Sequence, residues 1–353
     1  MKSHQIALYP GDGIGNEVVD QAVRVLDKLQ ELTRSFELRF TRFDWGVDYH
    51  SLHGRVAPED YLSTLRKFDA IFLGAVGWPA RLPDHITLEP LVKLRQGFDQ
   101  YACVRPARLY PGVRPALTAA GEIDMVVVRE NSEGEYFSCG GRFRAGESEE
   151  VAVQTAVHTR AGVERILRFG FALAQSRRKR LTMITKSNAL KFGMVMWDEI
   201  LETIRVEYPD VEAGKLHVDA ACMDFVRRPA RFDVVVASNL FGDILTDLSA
   251  AIVGGLGVAP SANLNPERKF PSMFEPVHGS APDIIGKGIA NPTATILSGA
   301  MMLQWLGHER ESEMIHRAVE RTLKSGQTTA DLGGTLTTGQ MTDRIIAHLG
   351  EAN

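Results

Sequence analysis

An α/β protein with a largely parallel sheet is the fold class this sequence predicts, and three features predict it. Short apolar runs bounded by turn residues alternate with longer amphipathic stretches, which is the pattern of strands and helices taken in turn. The 353 residues amount to about two domains at roughly 150 residues each, and each can bury most of its apolar surface. No internal repeat, low-complexity tract or Pro/Gly/Ser-rich linker separates them, so the chain is expected to cross between its domains more than once.

Taken in order, Ile6 to Tyr9 reads as the first strand, ended by Pro10-Gly11, and Val18 to Leu32 as the first helix. Strands follow at Ala70 to Leu73 and Met125 to Val128, then a helix at Val163 to Gln175. Leu181 to Thr185 and Val234 to Ala237 complete the strand candidates. Ala189 to Glu207 and Ala294 to Leu306 carry apolar residues at helical spacing, and each helical stretch ends near Gly, Pro or a basic cluster.

Composition excludes several classes. With 44% hydrophobic and 24% charged residues the chain is neither disordered, collagen-like nor membrane-spanning. Lys plus Arg (40) against Asp plus Glu (44) leaves a net charge of −4, so no overall field gathers nucleic acid or anionic lipid. The basic run Arg177-Arg178-Lys179-Arg180 reads as a solvated helix end whose cations suit the dipole. Cys103, Cys139 and Cys222 are odd in number and lack CxxC spacing, which points to a reducing compartment. The first strand begins too early for a signal peptide, and no apolar stretch approaches the roughly 18 residues of a membrane helix. A cytoplasmic protein is expected.

The turn Gly11-Asp12-Gly13-Ile14-Gly15 invites a dinucleotide-binding reading, but its spacing is GxGxG and Asp12 puts a carboxylate where a pyrophosphate would sit. A tight strand-to-helix turn is the competing reading. No P-loop occurs. The acidic constellation is more informative: Asp243 and Asp247 share one face of a helix if residues 241 to 252 are helical, and Asp219 follows the apolar Leu216-His217-Val218. Ile244, Leu245, Leu248, Ala250, Ala251, Ile252 and Val253 make that helix mostly buried in expectation, and buried carboxylates need a counter-charge. Oxygen ligands without a His/Cys cluster suit Mg²⁺ or Mn²⁺, against the alternative of a solvated or salt-bridged face. Arg95, Arg105 and Arg129 form a cationic set suited to carboxylates, with surface salt bridges as the other reading for each. Lys186 lies between a strand and a helix, where a lysine near other cations is suited to proton abstraction.

Eight stretches then carry a resemblance. Pro10-Gly-Asp-Gly-Ile-Gly15, Val104-Arg-Pro106, Arg129-Glu-Asn-Ser-Glu-Gly-Glu-Tyr136, Thr185-Lys-Ser-Asn188, Val218-Asp219, Asn239 to Asp247, Phe274 to Ile284 and Ile289-Ala-Asn-Pro292 run in order through nearly the whole chain. Together they resemble the metal-dependent β-decarboxylating dehydrogenases of 2-hydroxy acids, which include isopropylmalate, isocitrate, homoisocitrate, tartrate and D-malate dehydrogenases. The resemblance implies an isopropylmalate dehydrogenase-like two-domain fold, not a standard Rossmann fold, assembled as a homodimer. Residues 1–104 with 253–353 would bind the nucleotide, and residues 105–252 would carry the metal ligands and dimer contacts.

Position by position, it implies that Asp219, Asp243 and Asp247 bind Mg²⁺ or Mn²⁺, with Asp219 donated by the other subunit. Arg95, Arg105 and Arg129 would hold the carboxylates of a malate-like substrate, Lys186 of the other subunit would take the C2 hydroxyl proton, and Tyr136 would protonate the enol. Hydride would pass to NAD, and a carboxylate on C3 would leave as CO₂ with the metal as electron sink. The loop His278-Gly279-Ser280-Ala281-Pro282-Asp283-Ile284 would replace the glycine fingerprint. Asp283 accepts from a ribose diol and repels a 2′-phosphate, which favours NAD. Asn291 would contact the adenine, Asn188 the nicotinamide, and Ile14, Gly74 and Ala75 the nicotinamide ribose. A monovalent cation is left open.

Substrate choice lies in the segment leading to Arg95. Glu89, assigned to the cofactor side, would repel a third carboxylate, and Leu91 cannot hydrogen-bond one, so isocitrate is disfavoured. Leu91 and Val92 resemble the aliphatic pair that packs on an isopropyl group. Gly77-Trp78-Pro79, Pro83-Asp84-His85-Ile86, Arg129 to Tyr136 and Ala259 to Arg268 look most like the tartrate and D-malate branch, although Leu88 to Val92 is one residue shorter than usual there. The expectation is D-malate or tartrate, with 3-isopropylmalate as nearest rival. A non-catalytic nucleotide-binding subunit would lack a metal ligand, Tyr136 or Lys186, and all are present.

Overall fold

Every expected strand forms, and its neighbours arrange into one long sheet. The structure, a computed structural model, describes residues 2–117 and 121–350. Its strands are β1 (Lys2–Gly11), β2 (Phe36–Arg42), β3 (Ala70–Ala75), β4 (Ala102–Arg108), β5 (Asp124–Glu130), β6 (Gly140–Phe143), β7 (Val151–Gln154), β8 (Arg180–Thr185), β9 (Glu212–His217), β10 (Val234–Ala237), β11 (Pro260–Leu264) and β12 (Ser272–Pro276). Its helices are α1 (Ile14–Thr33), α2 (Val47–His53), α3 (Tyr61–Leu65), α4 (Asp84–Gly97), α5 (Arg160–Gln175), α6 (Gly193–Ile204), α7 (Val218–Arg227), α8 (Asn239–Ile252), α9 (Thr293–Trp305), α10 (Glu309–Lys324) and α11 (Thr338–Gly350).

Ten strands pair in the order β2-β1-β3-β12-β11-β4-β5-β10-β8-β9, and β6 and β7 form a separate two-stranded ribbon. The first four strands run parallel, the last four run parallel, and the antiparallel pairings of β11 and β4 reverse the direction between them. Ligands in open α/β sheets gather where strand order or direction changes. Register then decides what faces that place. Residues opposite one another in antiparallel strands share a face, and Ser261 lies opposite Glu275, Ala262 opposite Val104 and Cys103 opposite Arg129. Glu275, Ser261, Arg105 and Arg129 are thereby brought to one face of the middle of the sheet.

Helices form where apolar residues recur every three or four positions. In α1 the buried set Ile14, Val18, Val19, Ala22, Val25, Leu26 and Leu29 makes such a stripe. α9 and α11 pack beside it, α9 also lies on β3, β12 and β11, and α10 packs on α9 and α11. Two expectations are corrected. The stretch from Ala189 begins its helix only at Gly193, because the amides of Ala189 and Leu190 turn back onto the Lys186 carbonyl at 3.0 and 2.8 Å. The helix around Asp243 is α8, but it is not buried all round: Ile244, Asp247 and Ala251, at helical spacing, face outward. The basic run is also more than a solvated helix end. Arg177 Nε donates to the fully buried Asp233 at 2.8 Å, and Arg177 Nη2 also reaches Asp124 at 2.9 Å.

The glycine-rich turn proves to be a tight strand-to-helix turn, with Asp12 tying three loops together. The Val47 amide donates to Asp12 Oδ1 at 2.7 Å and the Gly77 amide to Oδ2 at 2.8 Å. Gly11, at a φ of 71°, lies where a Cβ would meet the Ala75 carbonyl oxygen at 1.9 Å. No described helix is long and apolar enough to cross a membrane. Removing both Asp12 bonds leaves two buried amides unpaired, so Asp12→Ala is expected to cost about 1–3 kcal/mol for each donor left unsatisfied. Urea unfolding reads this directly, and an unchanged midpoint would contradict the assignment.

Candidate active site

A cavity of about 170 Å³ opens on the face where the two parallel groups of strands meet. Leu88, Leu91 and Arg95 reach it from α4, spaced i, i+3 and i+7 on one side of the helix. The structure does not bring Glu89 and Val92 to this cavity. Glu89 pairs with Lys93 at 2.5 Å along a separate groove beside Tyr61 and Pro90. Arg95 is buried and its Nη2 donates to the buried Glu275 at 2.8 Å, while Asn263 Nδ2 holds the same Glu275 oxygen at 2.7 Å. The Arg95 Nε is buried without a protein partner. It is a donor in want of an anion.

Asp243 is the centre of the cluster. Its Oδ1 accepts from Arg129 Nη1 and, at 3.3 Å, from Arg105 Nη1, and its Oδ2 accepts from the Tyr136 hydroxyl at 2.7 Å. Burial pushes the carboxyl up, but the guanidiniums of Arg129 and Arg105 and the Tyr136 hydroxyl more than offset this, holding it below the usual carboxylate value. Tyr136 shifts the other way: burial and then the Asp243 charge raise its phenol, so it is a protonated donor at neutral pH. Arg129 is fully buried and its Nε and Nη2 both donate to Asn239 Oδ1, at 2.9 and 2.6 Å. Arg105 Nη1 also donates to the Thr246 hydroxyl at 2.7 Å. The helix α8 comes this close to β5 because residue 242 is glycine; a Cβ there would lie 2.7 Å from Arg129 Cβ.

A divalent cation fits these residues, though the set of three aspartates is not assembled in one chain. Asp247, one turn after Asp243 on the outward side of α8, has its carboxyl pushed up by partial burial, and the Asp243 charge pushes the same way. Two hard carboxylates on one helix face, one of them disfavoured as an anion, suit a counter-cation. Among the described residues no three His, Cys, Asp or Glu side chains gather as a metal group. Asp219 instead stands at the start of α7, two-thirds exposed, where its Oδ1 accepts from Lys186 Nζ at 2.9 Å. That hydrogen bond holds the Asp219 carboxyl below its usual value. Lys186 and Asp219 thus make a pair of their own, and neither lines the cavity around Asp243.

The loop after β12 lies across the glycine-rich turn, with the Ile14 amide donating to the Ser280 carbonyl at 2.9 Å and the Ser280 hydroxyl bonded to the Gly77 carbonyl. Gly74, Ala75, His278 and Gly279 line the cavity on this side. Burial holds the His278 imidazole below its ordinary pKa. Its Nδ1–H donates to the Gly279 carbonyl at 2.9 Å, and its buried Nε2 has no partner. Ala281 is in the left-handed region at a φ of 40°, Pro282 and Asp283 after it are exposed, and Ile284 packs back against the Ile14, Val18 and Ala290 cluster. Asn291 donates to Asp331 at 3.0 Å, and Asn188 is exposed beside Lys186. An open carboxylate, an orphaned imidazole nitrogen and a small-residue loop over a helix start are compatible with a dinucleotide.

Leu88, Asn239, Thr246, Ser261, Asn263 and Glu275 contribute and escape sequence reading. The spacing of 88, 91 and 95 on a helix could have found Leu88, and Asn239 and Thr246 sit one turn either side of the singled-out Asp243. Glu275 gave no local signal, because it meets Arg95 only through strand register.

Comparison with known proteins finds relatives along nearly the whole chain. The family model described as isocitrate/isopropylmalate dehydrogenase matches residues 5–345. Among curated relatives, "D-malate dehydrogenase [decarboxylating]" of Escherichia coli (strain K12) is 53% identical over 355 residues, covering 98% of each chain. The "Tartrate dehydrogenase/decarboxylase" of Pseudomonas putida is 51% identical over 350 residues, covering 96% of each. Among solved structures, an isocitrate dehydrogenase from Methylococcus capsulatus superposes with a TM-score of 0.89 at 38% identity, covering 98% of this chain and 99% of that one.

Asn239 offers a clean test of how the buried guanidinium is held. Losing its two bonds to the buried Arg129 guanidinium is expected to destabilise Asn239→Ala by about 1.5–3 kcal/mol, since the bonds involve a charged group. Urea unfolding reads the change; a wild-type midpoint would show that Arg129 needs no such clamp.

Proposed function

The chain belongs to the isocitrate/isopropylmalate dehydrogenase family, and from that membership we propose that it oxidises D-malate or tartrate with NAD and a divalent metal and decarboxylates the product. Family membership makes it an oxidoreductase acting on a CH–OH group. The observation that carries the finer reading is the cavity itself. Three buried guanidiniums converge on it while only Asp243 and Glu275 oppose them there, which leaves one net positive charge for a carboxylate of a small hydroxy acid to offset, and a bound divalent cation would add room for a second.

When bound, the metal supplies a Lewis acid at the substrate oxygens and NAD accepts the hydride. Asp243 and Asp247, with Asp219 of the partner subunit, are the proposed ligands, and the loop 278–284 with Ile14, Gly74, Ala75, Asn291 and the partner subunit's Asn188 holds the dinucleotide. Arg95, Arg105 and Arg129 orient the carboxylates. Lys186 of the partner subunit takes the C2 hydroxyl proton. Tyr136, kept protonated by its surroundings, delivers its proton to C3 once CO₂ has left. In this reading residues 1–104 with 253–353 carry the nucleotide and residues 105–252 the metal ligands.

A second copy is proposed because the chain leaves apolar surface open, part of it on the helices that carry Asp219 and Asp243. The β6-β7 ribbon exposes Phe143, Val151 and Val153, α7 exposes Met223 and Val226, and α8 exposes Ile244. A partner covering these would bring its Lys186–Asp219 pair toward Asp243 and Asp247. One observation favours 3-isopropylmalate as a second reading: Leu73, Val76, Leu88 and Leu91 form an apolar wall along the cavity.

NADH formation with Mn²⁺ across D-malate, the tartrate stereoisomers, 3-isopropylmalate and isocitrate, with EDTA controls, decides between these. Highest kcat/KM on D-malate or tartrate, abolished by EDTA, is the expected result; preference for 3-isopropylmalate would replace it with the second reading. Lys186→Met and Tyr136→Phe are expected to bind NAD as wild type while losing about 10²–10⁴-fold in turnover, the scale of general acid–base catalysis. Near wild-type rates in both would remove the proton-transfer roles.

A further inference from the structure

Behind the exposed turn that carries Lys186 and Asn188 lies a small polar network that none of the roles above uses. The turn leaves β8 at Thr185, and its side chains alternate: Lys186 reaches Asp219, Ser187 points back into the protein, and Asn188 is exposed. The Ser187 hydroxyl donates to Asp198 Oδ2 at 2.8 Å, and Asp198 belongs to α6. Lys215 of the neighbouring edge strand β9 donates to the same oxygen from the other side. Asp198 has 13% of its side chain exposed, so it is a sheltered anion in a part of the fold with little else to anchor it.

The turn itself is weakly held. Its backbone bonds include the amides of Ala189 and Leu190 on the Lys186 carbonyl, and residues 188–192 are largely exposed. The first helical turn of α6 provides no side-chain cap that would pull the segment in. By contrast α6 is rigidly seated, with Trp197, Ile200, Leu201 and Ile204 fully buried. An anion on this rigid helix that grips the middle residue of the turn therefore sets the direction in which the residues on either side project. Burial opposes the Asp198 charge, but the Lys215 ammonium, with the Thr185 and Ser187 hydroxyls, holds its carboxyl below the ordinary value, so the grip is ionic at neutral pH.

We propose that Asp198 is a positioning residue for the reaction, fixing Lys186 and Asn188 through its hydrogen bond to Ser187. This rests on the roles proposed for Lys186 and Asn188, and its action is indirect: Asp198 touches neither substrate nor cofactor. Misplacing a proton-transfer group by about an ångström costs up to about 10²-fold in rate with the same residues present.

The test compares Asp198→Ala, Asp198→Asn, Ser187→Ala and the Ser187→Ala/Asp198→Ala double variant of the full chain. Asp198→Ala is expected to lower kcat by at least about tenfold, within the range a misplaced group costs, with the hydroxy-acid KM nearly unchanged. Asp198→Asn keeps an acceptor for Ser187 and should recover most of that loss, and the double variant should be no slower than Asp198→Ala, because both changes break one bond. Lys215→Met leaves the Ser187–Asp198 bond in place and should keep a near wild-type kcat, which separates positioning from a surface ion pair. Hydrogen exchange of the peptide spanning residues 185–192 supplies a readout independent of turnover: it should quicken in Asp198→Ala and Ser187→Ala while the exchange of α6 stays as in wild type. Unaltered exchange in that peptide, a wild-type kcat in Asp198→Ala, or equal losses in the Ala and Asn variants would each overturn the proposal. If the wild-type chain oxidises no 2-hydroxy acid, the functional reading fails, whereas the exchange comparison still decides whether Asp198 holds the turn.

Discussion

A half-buried carboxylate facing two buried guanidiniums is the constraint on which the site depends. Asp243 sits half-buried against Arg129 and Arg105, whose guanidiniums are shut away from water, and burying either of those charges without an acid beside it would be costly. The cluster is tolerable because each partner is satisfied more than once: Arg129 by Asn239, Arg105 by Thr246 and Ser261, Asp243 by Tyr136. The sheet serves this arrangement. The antiparallel pairings of β11 and β4, placed between two oppositely running parallel groups, put Glu275, Ser261, Arg105 and Arg129 on one face, and glycine at position 242 lets α8 descend onto it. Fold and chemistry are linked through register more than through any single motif.

That linkage explains what was legible in the sequence and what was not. The five expected strands are those with continuous apolar runs, and they form the interior of the sheet, where both faces are covered. The edge strands β2 and β9 alternate charged with apolar residues and gave no such run. Short β4, β11 and β12 are rich in Pro, Asn, Ser and Arg because they build the cavity, so their strand character was hidden by their function. Arg95, Arg105, Arg129, Tyr136 and Asp243 were found from local pattern and resemblance, and the structure brings them together. Glu275 was not found, since its partner is 180 residues away in sequence. Glu89 and Val92 do not line the cavity, a placement set by the helix phase, which a resemblance that runs residue by residue along the segment does not carry.

The groups proposed for the chemistry fall into two sets within one chain. Tyr136, Asp243 and the arginines share a cavity, whereas Lys186 and Asp219 hold one another on an exposed edge formed by β8, α7 and the turn before α6. An exposed ion pair of that kind contributes little to stability, so its presence is better understood through what it could meet. α7 packs against α8, so the outward stripe of Ile244, Asp247 and Ala251 on α8 neighbours the helix that carries Asp219 and exposes Met223 and Val226.

Subunit complementation tests most directly whether the chemistry is divided between two copies. Tyr136→Phe and Lys186→Met chains, each nearly inactive, would be unfolded, mixed in equal amounts and refolded together. Random pairing in a two-fold dimer leaves one intact site in half of the dimers, so recovery of about a quarter of wild-type activity is expected. Activity no greater than that of the separate variants, in a mixture shown by mass spectrometry to contain the mixed dimer, would place both groups in a site built within one chain.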